Sequence, residues 1–222
     1  DIIQDWEKNL PGEFKLAYLP SPGILRLRLT GYAAGSIEDL RIKLNQETEH
    51  LKALIGPYIF GNNEDRLETV IGDLLAAKNQ TVSFAESCTG GTISSMITSV
   101  PGSSRYFKGA IVAYSNEVKT AELNVSSYTL MMNGAVSQAV VEQMADGIRK
   151  RFQTDYAVSV SGIAGPDGAT EDKPVGTTWI AVASEKRIVA RVHNFGDERN
   201  RNIQKAAIAA LFMLREEIMN CL

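Results

Sequence analysis

Histidine and cysteine are scarce in this 222-residue chain, with two of each. His50 and His193 lie far apart, and neither has neighbours at the spacing of a metal cluster or of a Ser-His-Asp triad. Both therefore read as structural residues, and a metal site is not expected. Cys88 and Cys221 are also distant, so a disulfide framework is not indicated and a reducing cytoplasm is the expected compartment. The chain lacks an apolar run of ~18 residues that could span a bilayer, and it has no signal-peptide pattern. It has no G-x-x-x-x-G-K-[ST] loop and no G-x-G-x-x-G turn. A basic excess is missing too: 23 Lys and Arg stand against 26 Asp and Glu, which argues against a nucleic-acid partner. A small anion could still be held by a local group of arginines and backbone N–H groups. The first residue is Asp1 rather than Met, so the sequence is expected to be a piece of a longer protein.

What remains is ordinary globular material, long enough for two domains. Residues 14–31 alternate apolar and polar side chains around a Pro-Ser-Pro-Gly turn, the pattern of a β-hairpin. Ser36 is placed to cap a helix to about Ile55, with Glu38 and Asp39 in its first turn. Gly56-Pro57 should stop that helix, and residues 58–60 read as a short third strand. Residues 1–61 are thus expected to form a small ββαβ unit, and residues 62–222 a second domain beyond the Gly61-Asn62-Asn63 boundary. The second domain reads as helix 64–78, strand 81–85, helix 89–99, strand 110–114 and helix 137–152. Strand 156–160, a hairpin over 177–195 and a long helix 200–219 complete it. Such mixing predicts an α/β (α+β layered) domain with a mixed sheet flanked by helices.

The informative stretch is TVSFAESCTGGT (81–92). It places Ser87 at a strand-to-helix turn, where Thr89, Gly90 and Gly91 could offer N–H groups to a phosphate or a developing oxyanion. The competing reading is plain capping and turn chemistry. Cys88 is a rival nucleophile, but it has no evident histidine base. A serine without histidine needs another base, and a lysine with a lowered pKa can serve. In AIVAYSNEVKT (110–120), Tyr114 ends a strand and Lys119 follows, though alone this would read as a half-buried ring and a solvated lysine. SGIAGPDG (161–168) can wrap a ligand closely, because glycine permits backbone approach. FGDERNR (195–201) puts Arg199 and Arg201 near a helix start, where they could grip a phosphate or simply pair with Asp197 and Glu198.

ESCTGG (86–91), GSSRYFKGAIVAYSNEVK (102–119), NGAVS (133–137), SGIAGPDG (161–168) and KPVGTTWIA (173–181) together resemble the CinA C-terminal family, in one consistent order from about Glu64 to Ile218. Characterised members of that family are nicotinamide-nucleotide amidases. The resemblance implies Ser87 as nucleophile, assisted by Tyr114 and Lys119, and nicotinamide mononucleotide as substrate, a mechanism that needs no metal or organic cofactor. It makes Thr89, Gly90, Gly91, Asn116, Ser161 and Gly162 candidates for substrate binding. It also implies an arginine near the last helix for the 5′-phosphate. Here the family's Gly-Asp-Arg pattern is interrupted by Glu198, which leaves both Arg199 and Arg201 as candidates. Residues 1–61 resemble the KH-like linker of longer CinA proteins, where it joins a molybdopterin-binding-like domain absent from this chain. No basic G-x-x-G loop supports RNA binding by it. The family inclines the reading toward a homodimer. The alternatives are a non-catalytic nucleotide-binding or interaction module and an amidase for another small amide.

Overall fold

The computed structural model describes residues 2–32 and 35–220. The chain divides into two compact units, Asp1–Asp65 and Arg66–Leu222.

In the first unit, helix α1 (Gln4–Lys8) precedes strands β1 (Phe14–Ser21) and β2 (Ile24–Gly31). The strands pair antiparallel from Phe14↔Gly31 to Ser21↔Ile24, so the turn is Pro22-Gly23. Helix α2 (Ile37–Ile55) starts as the sequence predicts, with the Ser36 side chain accepting the Asp39 N–H at 3.3 Å. Trp6 and Phe14 are buried, and the Trp6 indole N–H donates to Glu47 at 2.9 Å. The third strand expected at residues 58–60 is not formed. Gly56–Tyr58 is a single 3₁₀ turn closed by the Ile59 N–H on the Gly56 carbonyl. Pro57 fixes φ near the helical value and tightens the last turn rather than releasing an extended chain. The sheet of this unit is therefore two-stranded.

The second unit contains α3 (Leu67–Ala77), β3 (Val82–Glu86), α4 (Thr92–Thr98), β4 (Phe107–Val112), α5 (Asn116–Leu123), α6 (Ser127–Asn133) and α7 (Gln138–Phe152). It continues with β5 (Tyr156–Gly162), β6 (Thr177–Ala183), β7 (Ile188–Asn194) and α8 (Arg199–Asn220). The sheet order is β4-β3-β5-β6-β7. β3 pairs parallel with β4 and β5, whereas β6 pairs antiparallel with β5 and β7. This is the mixed, helix-flanked α/β sheet that the sequence predicts. Every residue of β3 is buried, as a strand covered on both faces requires. Ala85 and Ala157 are small, so α7 lies close with Val140, Met144 and Ile148 against them. α5 and α6 pack on α7, while α3, α4 and α8 form the other group of helices. α5 and α6 are additions to the expected order, because neither carries an apolar stripe long enough to read as a helix.

Leaving β3, the chain goes first to β4 on one side and later to β5 on the other. The carboxyl end of β3 is thus a point where strand order reverses, the usual position of a ligand crevice in such sheets.

Candidate active site

Ser87 follows the last residue of β3 and is held from both neighbouring strands. Its N–H donates to the Val160 carbonyl at 2.9 Å, and the Ala113 N–H donates to the Glu86 carbonyl at 2.7 Å. Gly90 and Gly91 then turn the chain with φ of +60° and +99°, left-handed values that suit glycine. α4 consequently begins at Thr92, later than the sequence predicts. The expected anion site at this helix start is already filled by the chain itself. The Glu86 carboxylate accepts the N–H groups of Gly91 (3.0 Å), Ile93 (3.1 Å) and Ser94 (2.9 Å), and the Ser94 hydroxyl (2.6 Å). The Gly90 N–H closes onto the Ser87 carbonyl at 3.1 Å. Gly90 and Gly91 therefore have no free N–H for a ligand. The N–H groups of Cys88 and Thr89, by contrast, donate to no backbone carbonyl among the described residues. The Thr89 hydroxyl is buried without a hydrogen-bond partner.

Lys119 is not solvated; it is 1% exposed. The Ser115 side chain caps α5 by accepting the Val118 N–H, which sets the helix turn that carries Lys119 inward. Its Nζ donates to Ser87 Oγ at 3.0 Å and to the Ala113 carbonyl at 2.7 Å, with the Tyr114 carbonyl at 3.5 Å. Burial lowers the Lys119 pKa from its ordinary value, against smaller opposing influences of Cys88 and Glu117. Once neutral, this amine can accept the Ser87 proton. Burial pushes the neighbouring Cys88 thiol up to about 12, so at neutral pH it is no thiolate.

Tyr114 is exposed (61%) rather than half-buried, and its hydroxyl accepts from Arg199 at 3.2 Å. Lys119 reaches the Tyr114 main-chain carbonyl, whereas the phenol oxygen is bonded to Arg199. Arg199 also donates to the Gly165 carbonyl at 2.7 Å, which fixes its guanidinium beside the 161–168 loop. Arg201 is exposed and pairs with Glu198 at 3.4 Å. Glu198 accepts the N–H groups of Asn200 (3.0 Å) and Arg201 (3.1 Å), so the residue that interrupts the Gly-Asp-Arg pattern caps α8. Gly162 ends β5, where an added Cβ would lie 3.0 Å from Cys88 Sγ. Ser161 is buried, with its hydroxyl donating to the Ala135 carbonyl at 2.8 Å. Asn116 is exposed at the start of α5. The structure thus brings Ser87 and Lys119 together, and separately Tyr114 and Arg199.

Sequence reasoning missed Asn202. It is buried and donates to the Ala164 (3.0 Å) and Gly196 (2.9 Å) carbonyls, tying the 161–168 loop to the segment that carries Arg199. A polar residue on what should be the inward face of α8 was the available signal. Among the described residues no group of three His, Cys, Asp or Glu could hold a metal, and no helix is long and apolar enough to cross a membrane. A shallow depression of about 440 Å³, lined by Arg66, Gly90, Gly91, Thr92, Ser95, Met96 and Ser99, includes none of Ser87, Lys119, Tyr114 or Arg199.

Residues 64–218 match the family model described as the CinA C-terminal domain. A CinA-like protein of Cytophaga hutchinsonii is 44% identical over 98% of this chain and 52% of its own length. Another, from Flavobacterium psychrophilum, is 45% identical over the same shares. The chain therefore spans about half the length of these relatives. Among solved structures, a competence/damage-inducible protein of Agrobacterium tumefaciens superposes with a TM-score of 0.68 at 34% identity, covering 71% of this chain and 97% of its own. A CinA-superfamily protein of Klebsiella pneumoniae gives 0.68 at 30% identity, covering 72% and 99%.

Proposed function

The chain belongs to the CinA family, and on that premise we propose that it is a serine–lysine amidase acting on nicotinamide mononucleotide. The observation that carries this reading is the 3.0 Å contact between Ser87 Oγ and the buried Lys119 Nζ. A nucleophile and a base within hydrogen-bond reach, the base held by the Ala113 carbonyl, is the arrangement that covalent catalysis without histidine requires.

In the proposed cycle, neutral Lys119 takes the Ser87 proton as Oγ attacks the carboxamide carbon. The tetrahedral oxyanion would be met by the N–H groups of Cys88 and Thr89. Loss of one such donor costs roughly 3–4 kcal/mol in a well-studied hydrolase. Lys119 then returns the proton to the departing nitrogen, and ammonia leaves. Water, deprotonated by the same lysine, hydrolyses the acyl-serine to nicotinic acid mononucleotide and restores Ser87. Arg199 is the better candidate for the 5′-phosphate, because Tyr114 and Gly165 orient it whereas Arg201 is paired with Glu198. Homodimerisation and a cytoplasmic setting belong to the same proposal.

The test is ammonia release from nicotinamide mononucleotide by the purified chain, beside Ser87→Ala. Release by the wild type and none by a folded variant supports the amidase. No release from folded wild type sinks it in favour of a binding module or another amide.

A further inference from the structure

Glu86 stands immediately before Ser87, is fully buried, and has no ion-pair partner among the described residues. A buried carboxylate without a cation is costly unless hydrogen bonds replace its water. Here three N–H groups and one hydroxyl do so, two on each oxygen. Bonds of this charge-assisted kind are the strong ones. They pull the Gly91–Ser94 segment onto the end of β3 and fix the turn on the far side of Ser87.

The main chain of Glu86 reaches the other half of the pair. Its carbonyl accepts the Ala113 N–H at 2.7 Å, and the Ala113 carbonyl accepts Lys119 Nζ at 2.7 Å. One residue, Ala113, thus links the strand end that bears the nucleophile to the base through its N–H on one side and its carbonyl on the other. Residue 86 is bonded along the chain to Ser87, through Ala113 to Lys119, and through its carboxylate to the turn carrying the Cys88 and Thr89 N–H groups.

We propose that Glu86 is a positioning residue whose carboxylate locks the Ser87 turn in register with Lys119. The proposal rests on the serine–lysine reading of this site. It assigns the filled start of α4 to catalysis by geometry rather than to substrate binding. Replacing the carboxylate by an amide turns one acceptor edge into a donor that faces N–H groups. The turn then loses register while the side-chain volume is kept.

The experiment compares wild type, Glu86→Gln and Ser87→Ala in three measurements. These are thermal unfolding, the rate and final stoichiometry of Ser87 labelling by a fluorophosphonate, and ammonia release from nicotinamide mononucleotide. Glu86→Gln is expected to fold and to label to full stoichiometry. Its labelling and ammonia release should both be at least about tenfold slower per labelled site, which corresponds to about 1.4 kcal/mol. Wild-type rates in Glu86→Gln would overturn the proposal. So would a low rate explained by reduced stoichiometry, because a merely structural residue lowers the folded fraction and leaves the rate per site intact. If Glu86→Gln does not fold, Ser94→Ala removes one of the four donors, and its labelling at the wild-type rate would equally overturn the proposal. Labelling is independent of the substrate: wild type that labels at Ser87 but releases no ammonia refutes the nicotinamide mononucleotide reading, and the labelling rates still decide the role of Glu86.

Discussion

Gly147 lies in the middle of α7, where a glycine-to-alanine change ordinarily stabilises a helix by about 1 kcal/mol. Here the opposite is expected. A Cβ at residue 147 would sit 2.7 Å from the carbonyl carbon of Leu123, 3.1 Å from its Cα, and closer still to its oxygen. Carbon atoms prefer separations of ~3.5–4.0 Å, so the end of α5 would have to retreat by about 1 Å. The obstacle is backbone, not the far end of a flexible side chain. Leu123 is itself fully buried, and the Arg151–Glu122 pair at 2.6 Å ties the same helix end to α7. Overpacking costs typically ~1–3 kcal/mol, and an obstacle of backbone belongs in the upper part of that range, so about 2–3 kcal/mol less the propensity gain of about 1 leaves a net loss of about 1–2 kcal/mol. Lys119 lies one helical turn before Leu123, and its carbonyl accepts the Val125 N–H at 3.1 Å, so displacement of the helix end is passed to it. A shift of that size would stretch the 3.0 Å contact with Ser87. Misplacement by ~1 Å can cost ~10²-fold in rate. Urea unfolding of Gly147→Ala should therefore show reduced stability, and ammonia release should fall at least tenfold (about 1.4 kcal/mol) with little change in KM. A variant as stable as wild type, or more so, would refute the close-approach argument; a destabilised but fully active one would refute the coupling to Lys119.

Because burial lowers the Lys119 pKa below 10.5, the proposed activity should rise with pH as this amine loses its proton, and Lys119→Arg should be inactive throughout that range. The stability linkage has the same origin. The unfolded chain holds the Lys119 proton more tightly, so the burial penalty is full below the lowered folded pKa and fades as pH rises toward 10.5. Any stability advantage of Lys119→Met over wild type should accordingly shrink with rising pH, and an advantage that grows would contradict the assignment. Arg199→Ala should raise KM for nicotinamide mononucleotide far more than for its unphosphorylated nucleoside. Arg201→Ala should change either by little, since an exposed pair such as that with Glu198 contributes ~0–1 kcal/mol. Equal effects of the two substitutions would refute the choice of Arg199.

The sequence made the second unit readable where chemistry and period coincide. The apolar run of β3, the glycines after Ser87 and the apolar run of β6 each leave a mark that needs no tertiary knowledge. The pairing of Ser87 with Lys119 came from resemblance, since spacing alone equally allowed a solvated lysine; its burial depends on α5, whose short and weakly amphipathic sequence hid it. Glu86 lies within the ESCTGG motif but reads as an ordinary polar strand end, because its four donors come from Gly91, Ile93 and Ser94, five to eight residues further along the chain. The start of α4 was placed too early for the same reason: a Thr-Gly-Gly segment looks like a helix entry until the left-handed backbone of both glycines is known. Pro57 misled in the other direction, as the end of α2 tightened where an extended strand was expected.

Two helices begin beside the candidate site, α4 and α8, and each has N–H groups of its first turn taken by the chain's own carboxylate, Glu86 in one case and Glu198 in the other. The scaffold therefore contributes little fixed attraction for anions at these two points, and under the proposed function discrimination between phosphorylated and neutral amides falls to side chains. Chemistry and substrate charge are then separable by mutation. If the proposed function holds, the Ser87–Lys119 pair can be inherited unchanged while an arginine at the rim is exchanged, so a fold of this design can drift between amide substrates without rebuilding its reactive centre.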